Sequence, residues 1–143
     1  MPTAIDIELE PFFTARLPLP PSINRTYRPV KHGRGSMRMA LSEEAALFKQ
    51  EAAYMLSNPQ CDWDVVNALR EAQGKLYVPL EVRMTFYFSS DRRDEDSGVK
   101  IAQDVIFKRL DLDDKLVKRL IVEKEVDERY PRVEVAIRCL LSA

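Results

Sequence analysis

Val78-Pro79-Leu80-Glu81-Val82-Arg83-Met84-Thr85-Phe86-Tyr87-Phe88, followed after Ser89-Ser90 by Asp91-Arg92-Arg93-Asp94-Glu95-Asp96-Ser97-Gly98-Val99-Lys100, is the stretch that decides the fold. In its first part Val82, Met84, Phe86 and Phe88 alternate with Glu81, Arg83, Thr85 and Tyr87. Successive side chains of a strand point to opposite faces, so this pattern predicts a half-buried strand. Beyond the acidic run the period changes. Val99, Ala102, Val105, Ile106 and Leu110 are spaced for one buried face of a helix. Asp94 and Asp96 therefore fall at a strand-to-helix junction. Asp113-Asp114 follows the helix, just before a second apolar run over 116–126. A strand–helix–strand unit brings the two acidic points together if its strands are neighbours. Converging carboxylates repel one another, and a hard divalent metal relieves the repulsion.

Each acid also has a plainer reading. Asp96 can cap the helix or pair with Lys100 at i,i+4, worth a few tenths of a kcal/mol. Asp113-Asp114 can be a solvated turn. If the pair Asp94-x-Asp96 is still extended, the two carboxylates share a face; on a helix they do not. Calcium is not the first choice: the EF-hand pattern needs Gly at position six and Glu at position twelve, where, counted from Asp94, Val99 and Val105 stand. Magnesium or manganese needs only a few carboxylates and keeps places for water and phosphate.

Working outward, 133–140 reads as a further strand, joined to 116–126 by Asp127-Glu128-Arg129-Tyr130-Pro131, which predicts an antiparallel hairpin. Upstream, Ser42 is placed to cap a helix with Glu43 and Glu44 in its first turn and a buried stripe of Phe48, Ala52, Met55 and Leu56. Residues 62–72 predict a short helix with Val65, Val66 and Leu69 inward and Trp63 as a packing anchor, ended by Gly74. A strand is expected over 12–17, stopped by Pro18-Leu19-Pro20-Pro21. Between that strand and the first helix lies a one-sided basic segment: Arg25, Arg28, Lys31, Arg34 and Arg38, with His32 and no acid, loosened by Gly33 and Gly35. It reads as a loop, either a solvated surface or a contact for nucleic-acid phosphates. The order β-α-β-α-β-β predicts a small mixed-sheet α/β (α+β) domain over 1–143, with 1–11 as an extension.

Composition agrees with one domain. The chain has 143 residues, 45% hydrophobic and 31% charged, with a net charge of −1. That charge does not advertise a nucleic-acid binder, so such a role rests on local charge. Cys61 and Cys139 have no metal-ligand spacing and are expected as free thiols of a cytoplasmic protein. Neither a signal peptide nor a transmembrane run is expected. A serine or cysteine hydrolase is disfavoured, because His32 is the only histidine; there is no P-loop or dinucleotide fingerprint.

Asp94-x-Asp96, Lys100 and Leu112-Asp113-Asp114, together with Leu17-Pro18-Leu19-Pro20-Pro21-Ser22-Ile23-Asn24-Arg25, resemble the RusA-type Holliday junction resolvases over about 17–140. That resemblance implies a dimeric, Mg²⁺-dependent endonuclease, with Mn²⁺ as substitute, often phage-borne, that cuts four-way DNA at symmetric positions. It implies metal ligands at Asp94, Asp96 and Asp114, a catalytic Lys100 and a supporting Asp113. Asp104 matches a further family acid. Asn24, Arg25, Arg28, Lys31, Arg34 and Arg38 become the DNA-contacting set. Ser97 stands where the family has Asn, Glu95 where an apolar residue is common, and the segment near 58–75 is longer than in compact members. Two other classes fit the acids: a non-catalytic protein that binds branched DNA, and a metal-dependent nucleotide phosphotransfer enzyme.

Overall fold

The structure is a computed structural model that describes residues 10–21, 27–32, 36–90 and 98–140, with backbone alone over 27–32 and 36–39. Its elements in chain order are β1 (Phe13–Leu17), β2 (Tyr27–His32), β3 (Ser36–Leu41), α1 (Glu43–Met55), β4 (Gln60–Cys61), α2 (Trp63–Ala72), β5 (Leu80–Phe88), α3 (Val99–Leu110), a 3₁₀ turn (Asp114–Leu116), β6 (Val117–Val126) and β7 (Arg132–Cys139). The fold class is the expected α+β, with one mixed five-stranded sheet in the order β4-β1-β7-β5-β6.

The alternating strand is inside that sheet, paired on both sides. β5 pairs parallel with β6, from Leu80 opposite Val117 to Phe88 opposite Val126, and antiparallel with β7 on its other edge. Val82, Met84, Phe86 and Phe88 are buried as the alternation predicts, in one core with Phe48, Ala52 and Leu56 from the α1 region, Val66 and Leu69 of α2, and Ile101, Ala102, Ile106, Phe107 and Leu110 of α3. Ile101 and Phe107 widen the helical stripe beyond the five residues that the spacing marks. Met55 is exposed instead of buried, while Leu56 beside it is buried.

Two expectations are corrected. First, β6 and β7 are not a hairpin: β5 lies between them. The 127–131 connection crosses the end of β5, where the Asp127 N–H donates to the Phe88 carbonyl at 2.8 Å. Placed there, β7 satisfies the free edge of β5 and buries Val133, Val135 and Ile137, leaving β6 as the edge strand. Second, the basic segment is not a loop. β2 and β3 form a two-stranded antiparallel hairpin from Tyr27 opposite Leu41 to His32 opposite Ser36. The alternation of Met37, Met39 and Leu41 with Arg38 and Ala40 carried that signal, and the two glycines fall between the strands rather than loosening the whole segment.

The second face of the sheet is a lattice of ion pairs. Arg132 bridges Asp127 (2.8 Å) and Glu134 (3.1 Å) and lies 3.9 Å over the Tyr87 ring; Arg16 also reaches Glu134 (3.0 Å). Glu81, only 3% exposed, holds Arg119 (3.2 Å) and Arg138. Cys61 and Cys139 are free, half-buried thiols, and burial pushes both above the usual thiol range. Among the described residues no helix is long and apolar enough to cross a membrane.

Candidate active site

α3 connects the two acidic points, and its two ends are built differently. Parallel neighbours joined by a helix need a crossover, so the helix runs back against the strands. Adjacency of β5 and β6 therefore does not by itself bring the acids together: the finish of β5 and the start of β6 lie at opposite ends of the paired strands.

The helix begins at the end of the sheet where β5 finishes. Gly98 caps it in the left-handed region (φ 84°, ψ 7°) with no side-chain hydrogen bond. A Cβ on Gly98 would overlap the Pro20 side chain and stand 3.2 Å from the Pro21 carbonyl oxygen. The proline-rich stretch after β1 is thus pressed against the start of α3, two residues before Lys100. Lys100 projects from the first turn, exposed, with no ion-pair partner among the described residues. Asp94 and Asp96 lie outside the described residues, as do Asn24, Arg25 and Arg34. Arg28 and Lys31 belong to β2 and Arg38 to β3, opposite Ala40, Met37 and Val30.

At the other end the chain reverses at Asp111, a non-glycine residue in the left-handed conformation (φ 54°, ψ 47°). The Asp111 N–H donates to the Lys108 carbonyl (3.2 Å) and the Leu112 N–H to the Phe107 carbonyl (3.1 Å). These are the two bonds of a Schellman ending, usually given to glycine. Helix α2 closes over this reversal. The Arg70 Nε–H donates to the Leu110 carbonyl (2.7 Å), and the Asp113 N–H donates to Gln73 Oε1 (2.6 Å). Asp113 Oδ1 accepts from the Lys115 N–H (2.9 Å), so this carboxylate caps the 3₁₀ turn. Asp114 starts the turn, exposed, and its carboxylate has no partner among the described residues. Asp104 is half-buried midway along α3.

Lys100 and Asp114 thus stand at opposite ends of α3, separated by roughly 15 Å of helical rise. Among the described residues no group of three or more His, Cys, Asp or Glu side chains could hold a metal. Asp114 offers a hard oxygen donor of the kind a divalent metal takes, uncommitted among the described residues, while Asp113 is already engaged in capping. A groove of about 650 Å³ on the polar sheet face, lined by Thr14, Arg16, Arg83, Thr85 and Glu134 among others, contains none of these acids.

Sequence reading missed Arg70 and Gln73. Their signal was positional: Val66, Leu69, Arg70 and Gln73 fall at i, i+3, i+4 and i+7, one stripe whose last two members are polar. The stripe that buries Val66 and Leu69 carries Arg70 and Gln73 onto the end of α3.

No curated protein matches the chain. The family model described as endodeoxyribonuclease RusA matches residues 18–138, a span that holds the proline-rich stretch, the acidic junction, Lys100 and Asp113-Asp114. The chain belongs to the RusA family of Holliday-junction-resolving endodeoxyribonucleases.

Proposed function

We propose that this protein is a Mg²⁺-dependent resolvase that cuts four-way DNA by paired, symmetric phosphodiester hydrolysis, acting in the cytoplasm as a two-fold dimer. The family match over 18–138, which includes all four site positions, carries the reading. Asp94, Asp96 and Asp114 would hold the metal. Bound there, Mg²⁺ supplies charge neutralisation at the phosphodiester and a water of lowered pKa. Lys100 sets an ammonium against the phosphate charge that grows in the transition state. Asn24, Arg25, Arg28, Lys31, Arg34 and Arg38 contact the DNA backbone, setting register rather than sequence.

The separation of Lys100 from Asp114 supports the dimer. A site using both within one chain would have to span α3, whereas a two-fold pair can set Asp114 of one subunit beside Lys100 of the other. Two nicks in opposed strands also call for two sites at once.

Asp94→Asn, Asp96→Asn, Asp114→Asn and Lys100→Ala should each lose cleavage of a synthetic four-way junction by at least about 10²-fold, a typical loss for one electrostatic group in a reacting site. Junction binding in Ca²⁺ should persist. Asp113→Asn should lose less. Mixing Asp114→Asn chains with Lys100→Ala chains distinguishes the site's composition. If each site draws on two chains, the heterodimer has one intact site and nicks a cruciform plasmid to open circles, though neither variant cuts alone. Wild-type cleavage by any two of the Asp→Asn variants would overturn the metal assignment.

A further inference from the structure

Gln73 and Arg70 hold no assigned role, yet they make the two side-chain bonds that α2 sends to the Asp114 turn. We infer that they are positioning residues, which fix the reversal after α3 so that the Asp114 carboxylate is presented in one orientation. The inference rests on the reading of Asp114 as a metal ligand.

The geometry is specific. After a helix, the last carbonyls and the following amides lack partners and must find them elsewhere. Here the reversal is at Asp111, where an L-residue in the left-handed region is disfavoured by about 1 kcal/mol or more. Such a turn persists when its surroundings over-determine it. Arg70 fixes the carbonyl just before the reversal and Gln73 fixes the amide two residues after it, at 2.7 and 2.6 Å. The side chain of Asp113 then fixes the next amide but one, that of Lys115, and the Leu116 N–H returns to the Asp113 carbonyl at 3.1 Å. Asp114 is the residue that this chain of bonds encloses, and among the described residues its own carboxylate takes no part in it.

Arg70 is itself held. Its second nitrogen reaches Asn67 Oδ1 (3.1 Å), and its guanidinium lies 5.8 Å from the centre of the Trp63 ring. Gln73 stands at the end of α2, where the Gln73 N–H returns to the Leu69 carbonyl (3.1 Å) and the Lys75 and Leu76 N–H groups both close on the Ala72 carbonyl. The segment that the sequence marks as longer than in compact relatives is therefore built into the fold. Its stripe docks through Val66 and Leu69, and its polar end aims at one turn. A solvated insertion would have left Gln73 and Arg70 facing water.

Both groups act on Asp114 through the backbone, so their loss should loosen the ligand and leave the fold and the DNA contacts in place. The test uses Mn²⁺ as the probe, the full chain, and a synthetic four-way junction. Gln73→Ala should weaken Mn²⁺ binding in titration calorimetry about tenfold and raise the Mg²⁺ concentration for half-maximal cleavage by a similar factor. Junction affinity in Ca²⁺ should stay within twofold, and the Asp113 amide should exchange with solvent at least tenfold faster. Gln73→Glu keeps an acceptor for that amide and should restore slow exchange and most of the Mn²⁺ affinity. Arg70→Ala should act in the same direction as Gln73→Ala. If Asp114→Asn loses Mn²⁺ binding while Gln73→Ala and Arg70→Ala bind Mn²⁺ like wild type, the positioning role is wrong and the metal reading stands. If Asp114→Asn itself binds Mn²⁺ and cleaves like wild type, the metal reading fails and takes this inference with it.

Discussion

The two ends of α3 solve the same problem by different means. At its start no side chain among the described residues caps the helix; the chain is held by the fit of a bare glycine backbone against Pro20 and Pro21. At its finish a left-handed aspartate is held by hydrogen bonds from another helix, those of Arg70 and Gln73. A steric fit fails abruptly, because packed atoms have nowhere to go. A hydrogen-bonded turn fails by degrees, because each bond contributes only about 1 kcal/mol net. Substitutions near Gly98 should therefore act on folding, and those near Asp111 on the precision of one turn.

The largest expected effect tests the steric end. Gly98→Ala adds a Cβ that overlaps Pro20 and forces an L-residue to φ 84°. Together these should cost about 3 kcal/mol of unfolding free energy, measured by urea denaturation. A loss below about 1 kcal/mol would mean that the 18–21 stretch yields freely and that the contact with α3 is loose.

Next in size is Glu81, at the end of the sheet where Asp114 lies. Burial alone pushes its pKa up, but hydrogen bonds from Arg138 and Arg119 and the nearby charges of Arg138 and Arg83 outweigh it, and the net shift is downward. A carboxylate with a lowered folded pKa contributes stability above its unfolded value, about 4.3, and loses it as pH falls through the folded value. Glu81→Gln should therefore cost about 2 kcal/mol at pH 7. The gap to wild type should close at pH values below the folded pKa. A gap that stays constant between neutral pH and that range would remove the charge from the explanation. Asp127 shifts in the same direction at the opposite end, chiefly through its hydrogen bond from Arg132. It is a surface group, so acid should fray the β6–β7 connection without a large change in global stability.

The smallest effect tests the hydrogen-bonded end. Asp111→Gly relieves the left-handed strain and should raise stability by up to about 1 kcal/mol. Cleavage should be unchanged, since Arg70 and Gln73 still fix the turn. A drop in cleavage would show that Asp111 itself contributes to the site.

Some of this molecule was legible because the signal is local. The alternation over 80–88 marked β5 and its buried face, since a strand's side-chain period is two whatever surrounds it. The cap of α1 was legible as Ser42, whose side chain accepts from the Ala45 amide, and the start of α2 as Asp62, which accepts from the Asp64 and Val65 amides. So were the acids and lysine as a pattern, because residue type and spacing are all a motif contains.

Other features needed the whole chain in place. No local period says whether β7 pairs with its sequence neighbour β6 or crosses to the free edge of β5; that depends on which edge buries Val133, Val135 and Ile137. Nor does the strand–helix–strand order say whether neighbouring strands bring the two acidic points together; the parallel register of β5 and β6 puts the finish of one and the start of the other at opposite ends. What Arg70 and Gln73 touch depends on how α2 docks on the end of α3. Residue type and local period were enough to name the side chains available for chemistry and most of the elements that carry them. Tertiary structure decided which edges those elements share and which side chains hold the Asp114 turn in place, since hydrogen bonds such as Asp113 to Gln73, 40 residues apart, exist only once the intervening chain is packed.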